Sequence, residues 1–393
     1  MRYLEKLLNG VEVEWKALGQ VLVRTKGTSI TAGQMKILHK DGAPLKIFAG
    51  GKTVAFVDYK DIPDKDINRE PSVIVKSRGI IEFEYYDKPF SHKNEMWSYH
   101  SKNENIDIKF VYHYLRINEP YFQNIGSRMQ MPQISTPDTD KFQIPIPPLS
   151  VQKEIVRILD SFTELTAELT AELTARKKQY NYYREKLLSF EGVEVEWKTL
   201  GWVGEVRMCK RIFKNQTSDS GDIPFFKIGT FGKEPDSYIS RETFDEYREK
   251  YNYPRVGEVL ISASGTIGRS VIFNGEEAYF QDSNIVWLEN DESKVLNKYL
   301  FYFYQVANWN ISDGGVIKRL YNDNIKNTQI PIPYPNNPEK SLAEQARIVS
   351  ILDKFDTLTT SISEGLPKEI ELRKKQYEYY RDLLLTFPKN KIE

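Results

Sequence analysis

The chain has one cysteine, Cys209, in 393 residues, which excludes a disulfide framework and any cysteine-rich zinc site. It also lacks net charge. Lys+Arg and Asp+Glu both number 55, so the strongly basic balance of a free-standing nucleic-acid binder is missing, although a basic face can sit behind acidic helices. No apolar run approaches the ~20 residues of a membrane span, and MRYLEKLLNG does not read as a signal peptide, so a cytoplasmic protein without membrane contact is expected. The histidines His39, His92, His100 and His113 lack metal-ligand spacing, and structural or surface roles are expected. AGGKT (49–53) looks like the end of a phosphate loop, but Lys46 stands where its first glycine is required. SASGTIG lies inside an apparent hairpin instead of opening a helix, so it is no dinucleotide fingerprint. Asp64/Asp66 and Asp138/Asp140 lie in turn-rich polar stretches that they cap or solvate. These absences favour recognition over catalysis. What the chain does have is 40% hydrophobic and 13% aromatic residues, enough for packed cores, and a length that requires two or three domains.

Much of it is written twice. GVEVEWKALGQV (10–21) recurs as GVEVEWKTLGWV (192–203), and IPIP at 144–147 recurs at 330–333. EIVRILDSFTELT (154–166) is echoed by ARIVSILDKFDTLT (346–359), and RKKQYNYYREKLLSF (176–190) by RKKQYEYYRDLLLTF (373–387). The blocks between, roughly 22–143 and 204–329, share no obvious sequence. Two copies of one scaffold therefore carry two different payloads.

The shared segments read as helices. From Val151 to Phe190 there is no Gly or Pro, and Ile155, Leu159, Phe162, Leu165, Leu169 and Leu173 form one apolar stripe. Such a stripe needs a partner, and the second copy, about 342–387, is the candidate, with a break expected at Pro367. Between Leu352 and Arg373 that copy is four residues longer than between Leu159 and Arg176, the length of one word in TELTAELTAELTA (163–175). Four residues advance a helix by about 6 Å and turn it by only ~40°, so the tract reads as a ruler. LEKLLNGVEVEW (4–15) resembles REKLLSFEGVEVEW (184–197), as though the chain opened on the tail of a rod. The C-terminal rod supplies its body if the ends meet. The layout is then circular and pseudo-twofold, with the rods paired antiparallel.

Both payloads read as short strands with brief helices. PSVIVKSRGIIEF (71–83) and GEVLISASGTIGRSVIF (257–273) are strand, turn, strand. Their tips present Lys76, Ser77, Arg78 and Gly79 in one, and Ser262, Ser264, Thr266 and Arg269 in the other. Each is followed by an aromatic helix-like stretch, DIKFVYHYLR (107–116) or LNKYLFYFYQV (296–306), and then by a polar loop before IPIP. Those loops are GSRMQMPQIS (126–135) with Arg128 and Gln130, and GGVIKRLYNDNI (314–325) with Lys318 and Arg319.

The doubled GVEVEWK, the doubled IPIP followed by Q..IV.ILD.F..LT, the doubled RKKQY.YYR..LL.F and the TAEL repeats together resemble the specificity subunits of type I restriction–modification systems, the repeats resembling the IC subclass. The resemblance covers nearly the whole chain. It implies an α/β (α+β) fold of two globular target-recognition domains separated by two long helices in an antiparallel coiled coil. The implied boundaries are an N-terminal helix tail (1–14), a first recognition domain (15–149), a central helix (150–191), a second recognition domain (192–340) and a C-terminal helix (341–393). It further implies a non-catalytic chain that binds double-stranded DNA, two methyltransferase subunits and the restriction motor-nuclease subunits. S-adenosylmethionine, ATP and Mg are expected in those partners and no cofactor or metal in this chain. The tip and loop residues named above suit contacts with DNA, whose base edges need donors and acceptors and whose phosphates need cations. Tyr180, Tyr183, Arg184, Tyr377, Tyr380 and Arg381, with Tyr182 and Tyr379 beside them, are expected to face partner subunits. A coiled-coil adaptor for proteins, and a specificity chain of another restriction type with its own catalytic site, are the alternatives. Against the latter stands the missing Asp/Asn-Pro-Pro-aromatic methylation motif.

Overall fold

The computed structural model describes residues 3–127, 131–190, 192–309, 311, 319–361 and 363–388. Two compact units divide the chain, Met1–Leu169 with Glu369–Glu393, and Thr170–Lys368.

The first unit contains β1 (Glu14–Ala17), β2 (Leu22–Thr25), β3 (Leu45–Phe48), β4 (Val54–Val57), β5 (Ser72–Lys76), β6 (Glu82–Tyr86), β7 (Phe90–His92), β8 (Trp97–Ser101) and β9 (Gln143–Ile146). Its larger sheet has the order β2-β8-β5-β6, antiparallel throughout, and its smaller sheet the order β4-β3-β7, with β3 parallel to β7. β5 is buried along its whole length because both of its faces are covered. Val73 and Val75 point into a core shared with Phe110 and Leu115 of the helix Ile108–Ile117, while Ile74 points the other way, toward Phe48 and Phe90 of the smaller sheet.

The second unit contains β10 (Val195–Thr199), β11 (Gly204–Arg207), β12 (Ile223–Phe226), β13 (Tyr238–Ile239), β14 (Val259–Ser262), β15 (Ser270–Ile272), β16 (Tyr279–Phe280), β17 (Ile285–Asn290) and β18 (Gln329–Pro333). Its sheets are β11-β17-β14-β15 and β13-β12-β16, again with one parallel pair, β12 with β16. In β14, Val259 and Ile261 face Tyr299 and Leu300 of the helix Asn297–Tyr304, while Leu260 faces Phe225 and Tyr279. The two payloads, which share no obvious sequence, are therefore one topology built twice.

The duplicated words close each domain at its base. GVEVEW supplies β1 and β10, and IPIP supplies β9 and β18. β1 pairs antiparallel with β9, Trp15 opposite Pro145, and β10 pairs with β18, Trp197 opposite Pro331. Prolines are tolerated in such two-stranded ribbons because one edge of each strand needs no donor.

Leu149–Ser189 is one helix of 41 residues, about 60 Å long. Ile155 and Leu159 of the expected stripe are fully buried, whereas Leu165, Leu169 and Leu173 are half-buried. The second copy is not one rod. It forms Pro338–Thr360 and Gly365–Leu385. The break precedes Pro367, which sits in the first turn of the new helix where its missing N–H costs nothing. Gly365 makes the break. Its φ is +80°, and a Cβ there would lie 2.4 Å from the Thr357 carbonyl oxygen. The four extra residues between the matched landmarks are thus matched by the four that separate the two helices, rather than by a longer rod.

In the first unit Phe162 stacks on Tyr380 at 5.3 Å, and in the second Tyr183 stacks on Phe355 at 5.6 Å. Phe162 matches Phe355 and Tyr183 matches Tyr380 in the repeats, so the contact is made twice with the copies exchanged, as two antiparallel copies require. The chain ends do meet inside the first unit. Leu4 and Leu8 share a core with Leu384, Leu385 and Phe387, and the Trp15 indole donates to the Pro388 carbonyl. Phe387 packs edge-on against Phe110 at 6.0 Å, as Phe190 does against Tyr299 at 6.4 Å in the second unit.

Candidate nucleic-acid interface

The first tip is the turn after β5. Gly79, at φ +76°, lets the chain reverse, and its N–H donates to the Pro132 carbonyl at 2.8 Å. Ile134 N–H donates to the Ser77 carbonyl at 3.0 Å, and Arg78 bridges antiparallel to Gln133. The tip and the polar loop before IPIP, more than fifty residues apart, are thereby stitched into one short ribbon. Arg78 is exposed and its guanidinium makes no hydrogen bond or ion pair among the described residues. Lys76 and Ser77, expected as contacts, are turned inward. The Lys76 ammonium is paired with Glu84 at 2.9 Å and Glu82 at 3.3 Å, and these carboxylates hold its pKa above the ordinary value although burial pulls it down. Ser77 Oγ donates to the Glu95 carbonyl at 2.5 Å. Arg128 and Gln130 lie outside the described residues.

The second tip repeats the stitch. Gly265, at φ +65°, occupies the position of Gly79, Leu320 N–H donates to the Ala263 carbonyl at 2.7 Å, and Ser264 bridges antiparallel to Arg319. Ser262 and Ser264 are buried and build the turn rather than present themselves. Ser262 Oγ donates to the Thr266 carbonyl and accepts from the Arg269 N–H at 3.0 Å, while Ser264 Oγ donates to Asn284 Oδ1 at 2.9 Å. Thr266 is exposed. Arg269 is tethered, its guanidinium donating to the Phe231 carbonyl at 3.1 Å and to Thr266 Oγ1 at 3.3 Å. Arg319 donates to Ser283 Oγ at 2.8 Å and lies over the ring of the exposed Tyr321. Lys318 lies outside the described residues. Reading the sequence missed Ser283, a non-glycine residue at φ +52°. Strained backbone of this kind collects at functional turns.

The equivalent tip positions are thus Arg78-Gly79-Ile80 in one domain and Ser264-Gly265-Thr266 in the other. One offers an exposed cation and an apolar group, the other the Thr266 hydroxyl, bonded to the tethered Arg269. Surfaces of such different chemistry suit different base edges. Arg78→Ala is expected to weaken discrimination in one half-site by ~1–3 kcal/mol and leave the other half-site intact. Arg269→Ala should disturb only the other half-site, through loss of the turn it holds. Binding to duplexes with single base-pair changes in each half checks both, and uniform loss across sequences would mark either residue as a phosphate clamp.

The type I restriction modification DNA specificity domain matches this chain twice, over residues 20–176 and 192–372. The chain belongs to that family. A protein of Haemophilus influenzae named as a type I restriction enzyme specificity subunit is 48% identical, over 98% of each chain. The EcoR124I/EcoR124II specificity subunit of Escherichia coli is 36% identical, over 99% of this chain and 98% of that one. The crystal structure of a type I S subunit from M. genitalium superposes with a TM-score of 0.59 at 15% identity, over 97% of this chain and 98% of that one. A chain from a study of complex assembly in the type I R-M system gives 0.55 at 15% identity, over 96% of this chain and 98% of that one. These two show the fold.

The helices of this specificity subunit hold its recognition domains through two side chains repeated in each. Gln152 is fully buried, accepts from Asp107 N–H at 2.9 Å at the start of the aromatic helix, and donates to the Asn105 and Pro147 carbonyls. Gln345 is also buried, accepts from Leu296 N–H at 3.0 Å, and donates to the Lys294 carbonyl at 3.1 Å. Asp160 pairs with Lys109 at 2.7 Å and accepts from His113 at 3.2 Å. Burial pushes its carboxyl up, but those bonds outweigh burial and hold it below the usual carboxylate range. Asp353 makes the equivalent contacts, pairing with Lys298 at 2.6 Å and accepting from the Tyr302 hydroxyl at 2.6 Å. His113 thus has the structural role expected of it.

The expected partner-facing residues divide by helical phase. Tyr180 is buried, Tyr377 and Tyr380 join the helix packing, and Tyr183 lies on Phe355. Arg184 is spent on Gln305 at 2.8 Å and Arg381 on Asp382 at 2.8 Å. Tyr182 and Tyr379, equivalent in the two copies, stand 57% and 65% exposed. They are the most exposed of these six tyrosines, with Tyr183 next at 37%.

Proposed function

We propose that this specificity subunit reads a bipartite, asymmetric DNA site, one half with each tip, and that its helices carry two methyltransferase subunits, to which restriction motor-nuclease subunits are added. The observation that carries this reading is the same stitched tip built twice on one topology with different exposed chemistry. A protein that needed one recognition surface would have no reason to keep two unlike ones in equivalent positions. Non-catalytic recognition also fits the titratable groups, since burial pushes the Cys209 thiol up to about 12, out of reach of nucleophilic chemistry near neutral pH. S-adenosylmethionine, ATP and Mg would be held by the partner subunits. Methylation mapping in the host genome tests the reading, which requires one split motif with unlike halves.

Tyr182 and Tyr379 are the proposed anchors for the two methyltransferase copies, because exposed aromatics on a rigid helix are favoured centres of protein interfaces. Co-expressed chains should purify with two methyltransferase copies. Changing both tyrosines to alanine is expected to weaken that assembly by about ten- to a hundredfold, roughly 1.4–2.8 kcal/mol per site. A doubly substituted chain that assembles as well as the parent would remove these residues from the interface.

A further inference from the structure

We infer that Ile80 and Met131 form an apolar contact for the 5-methyl group of a thymine in the half-site read by the first domain. The inference rests on the DNA-reading function proposed above and adds what that tip reads. The antiparallel bridge of Arg78 to Gln133 and the Gly79 to Pro132 hydrogen bond hold the two segments side by side, and Ile80 and Met131 are the residues next to those stitched positions in each segment. Both stand in water, 63% and 64% exposed, although their neighbours Ile81 and Ile134 are buried in the core of the same unit. The chain therefore had room to send apolar side chains inward here, and sends these two out. Keeping them at a turn serves the native fold poorly, because a turn is held by backbone bonds that polar residues permit equally well.

What would cover them is set by their neighbour. Arg78, between this pair and the buried strand, makes no hydrogen bond or ion pair among the described residues and feels the Glu95 carboxylate only through space, and an exposed guanidinium beside an apolar pair suits a surface that is anionic and locally apolar. Duplex DNA has one such place in the major groove. Guanine O6 and N7 accept from arginine, and the thymine methyl is the apolar feature among the base edges there. Phosphate contacts alone would explain Arg78 but would leave Ile80 and Met131 against solvated oxygens.

The test uses the chain assembled with its methyltransferase partners and the duplex site found by methylation mapping. Each thymine in the first half-site is replaced in turn by deoxyuridine, which removes only the methyl group. One replacement should weaken binding about fivefold, the scale of one buried methyl group. Ile80→Ala and Met131→Ala should lower binding to the thymine duplex by a similar factor and abolish the difference between thymine and uracil. Both variants should keep their response to changes in the second half-site, which shows that they are folded. The inference is overturned if the first half-site contains no thymine, if every deoxyuridine duplex binds like its parent, or if Ile80→Ala loses binding equally on thymine and uracil. It is also overturned if a 2-aminopurine probe reports unstacking that needs Ile80 while the uracil response is flat, since the pair would then be a wedge between bases. Failure of the assembled complex to bind any duplex would instead strike the DNA-reading function itself.

Discussion

Gln345→Leu is expected to destabilise the second unit by about 2–5 kcal/mol, although leucine matches the volume of glutamine closely. The cost is in hydrogen bonds. Gln345 is fully buried, and its amide satisfies the Leu296 N–H and the Lys294 carbonyl. Each such group left unpaired away from water costs about 1–3 kcal/mol. For a unit of this size the melting transition should fall by roughly 10 °C, at some 2–4 °C per kcal/mol. Gln152→Leu should act likewise on the first unit, where Asp107 N–H and two carbonyls lose their partner. Arg347→Ala is the control on the same stretch of helix. Its pair with Glu344 opens to solvent at the arginine, whose side chain is 54% exposed against 15% for the glutamate, and such a pair contributes on the order of 1 kcal/mol. Calorimetry of the three variants decides it, and a Gln345→Leu chain that melts with the parent would show that these backbone groups find other partners.

Why those glutamines were not legible beforehand is instructive. In the sequence they are the Q of a repeated Q..IV.ILD word, and a polar residue near the start of a helix reads as solvated. Only the fold reveals that Gln152, in the first turn of its helix, and Gln345, further along its own, both lie under the segment before the aromatic helix. The hairpins around Gly79 and Gly265 and the two aromatic helices were legible, because alternation and turn glycines are local signals. Pairing of each tip with the loop before IPIP is long-range, and nothing local in Pro132 or Leu320 announces it. The common topology of the payloads was hidden for another reason. Val73 and Val259, or Ile74 and Leu260, need only be apolar and point to the right side, so identity drifts while the pleat persists. Helical phase at the tyrosines was not legible, since adjacent residues on a helix point about 100° apart, and Tyr182 stands 57% exposed while Tyr183 turns partly onto Phe355 and keeps 37%. The repeated RKKQY word gave their existence but not their direction.

Deleting Thr170–Leu173 should leave a folded chain whose two readers require a spacer shorter by one or two base pairs, with the sequences of both half-sites unchanged. Leu149–Ser189 is one uninterrupted helix through the TAEL tract and passes from the first unit into the second. Removing four residues shortens it by about 6 Å and turns its far end by ~40°. Duplex DNA rises ~3.4 Å per base pair, so the step corresponds to one or two pairs, the smaller if the second helical copy takes up part of the change. Folding should survive because the tract repeats its own chemistry. Leu165, Leu169 and Leu173 are all half-buried, and the threonines bond back to carbonyls four residues earlier, Thr166 to Phe162 at 2.7 Å and Thr174 to Thr170 at 3.0 Å. After deletion Thr174 finds Thr166 where Thr170 was, and Leu169 precedes it as Leu173 did. The second copy has no such word to remove, since its extra residues fall at the break before Gly365, so the first copy is the adjustable one. Methylation of a duplex library with graded spacers measures the outcome. A deletion chain that keeps the parental spacing would mean that the tract tolerates length change without setting it.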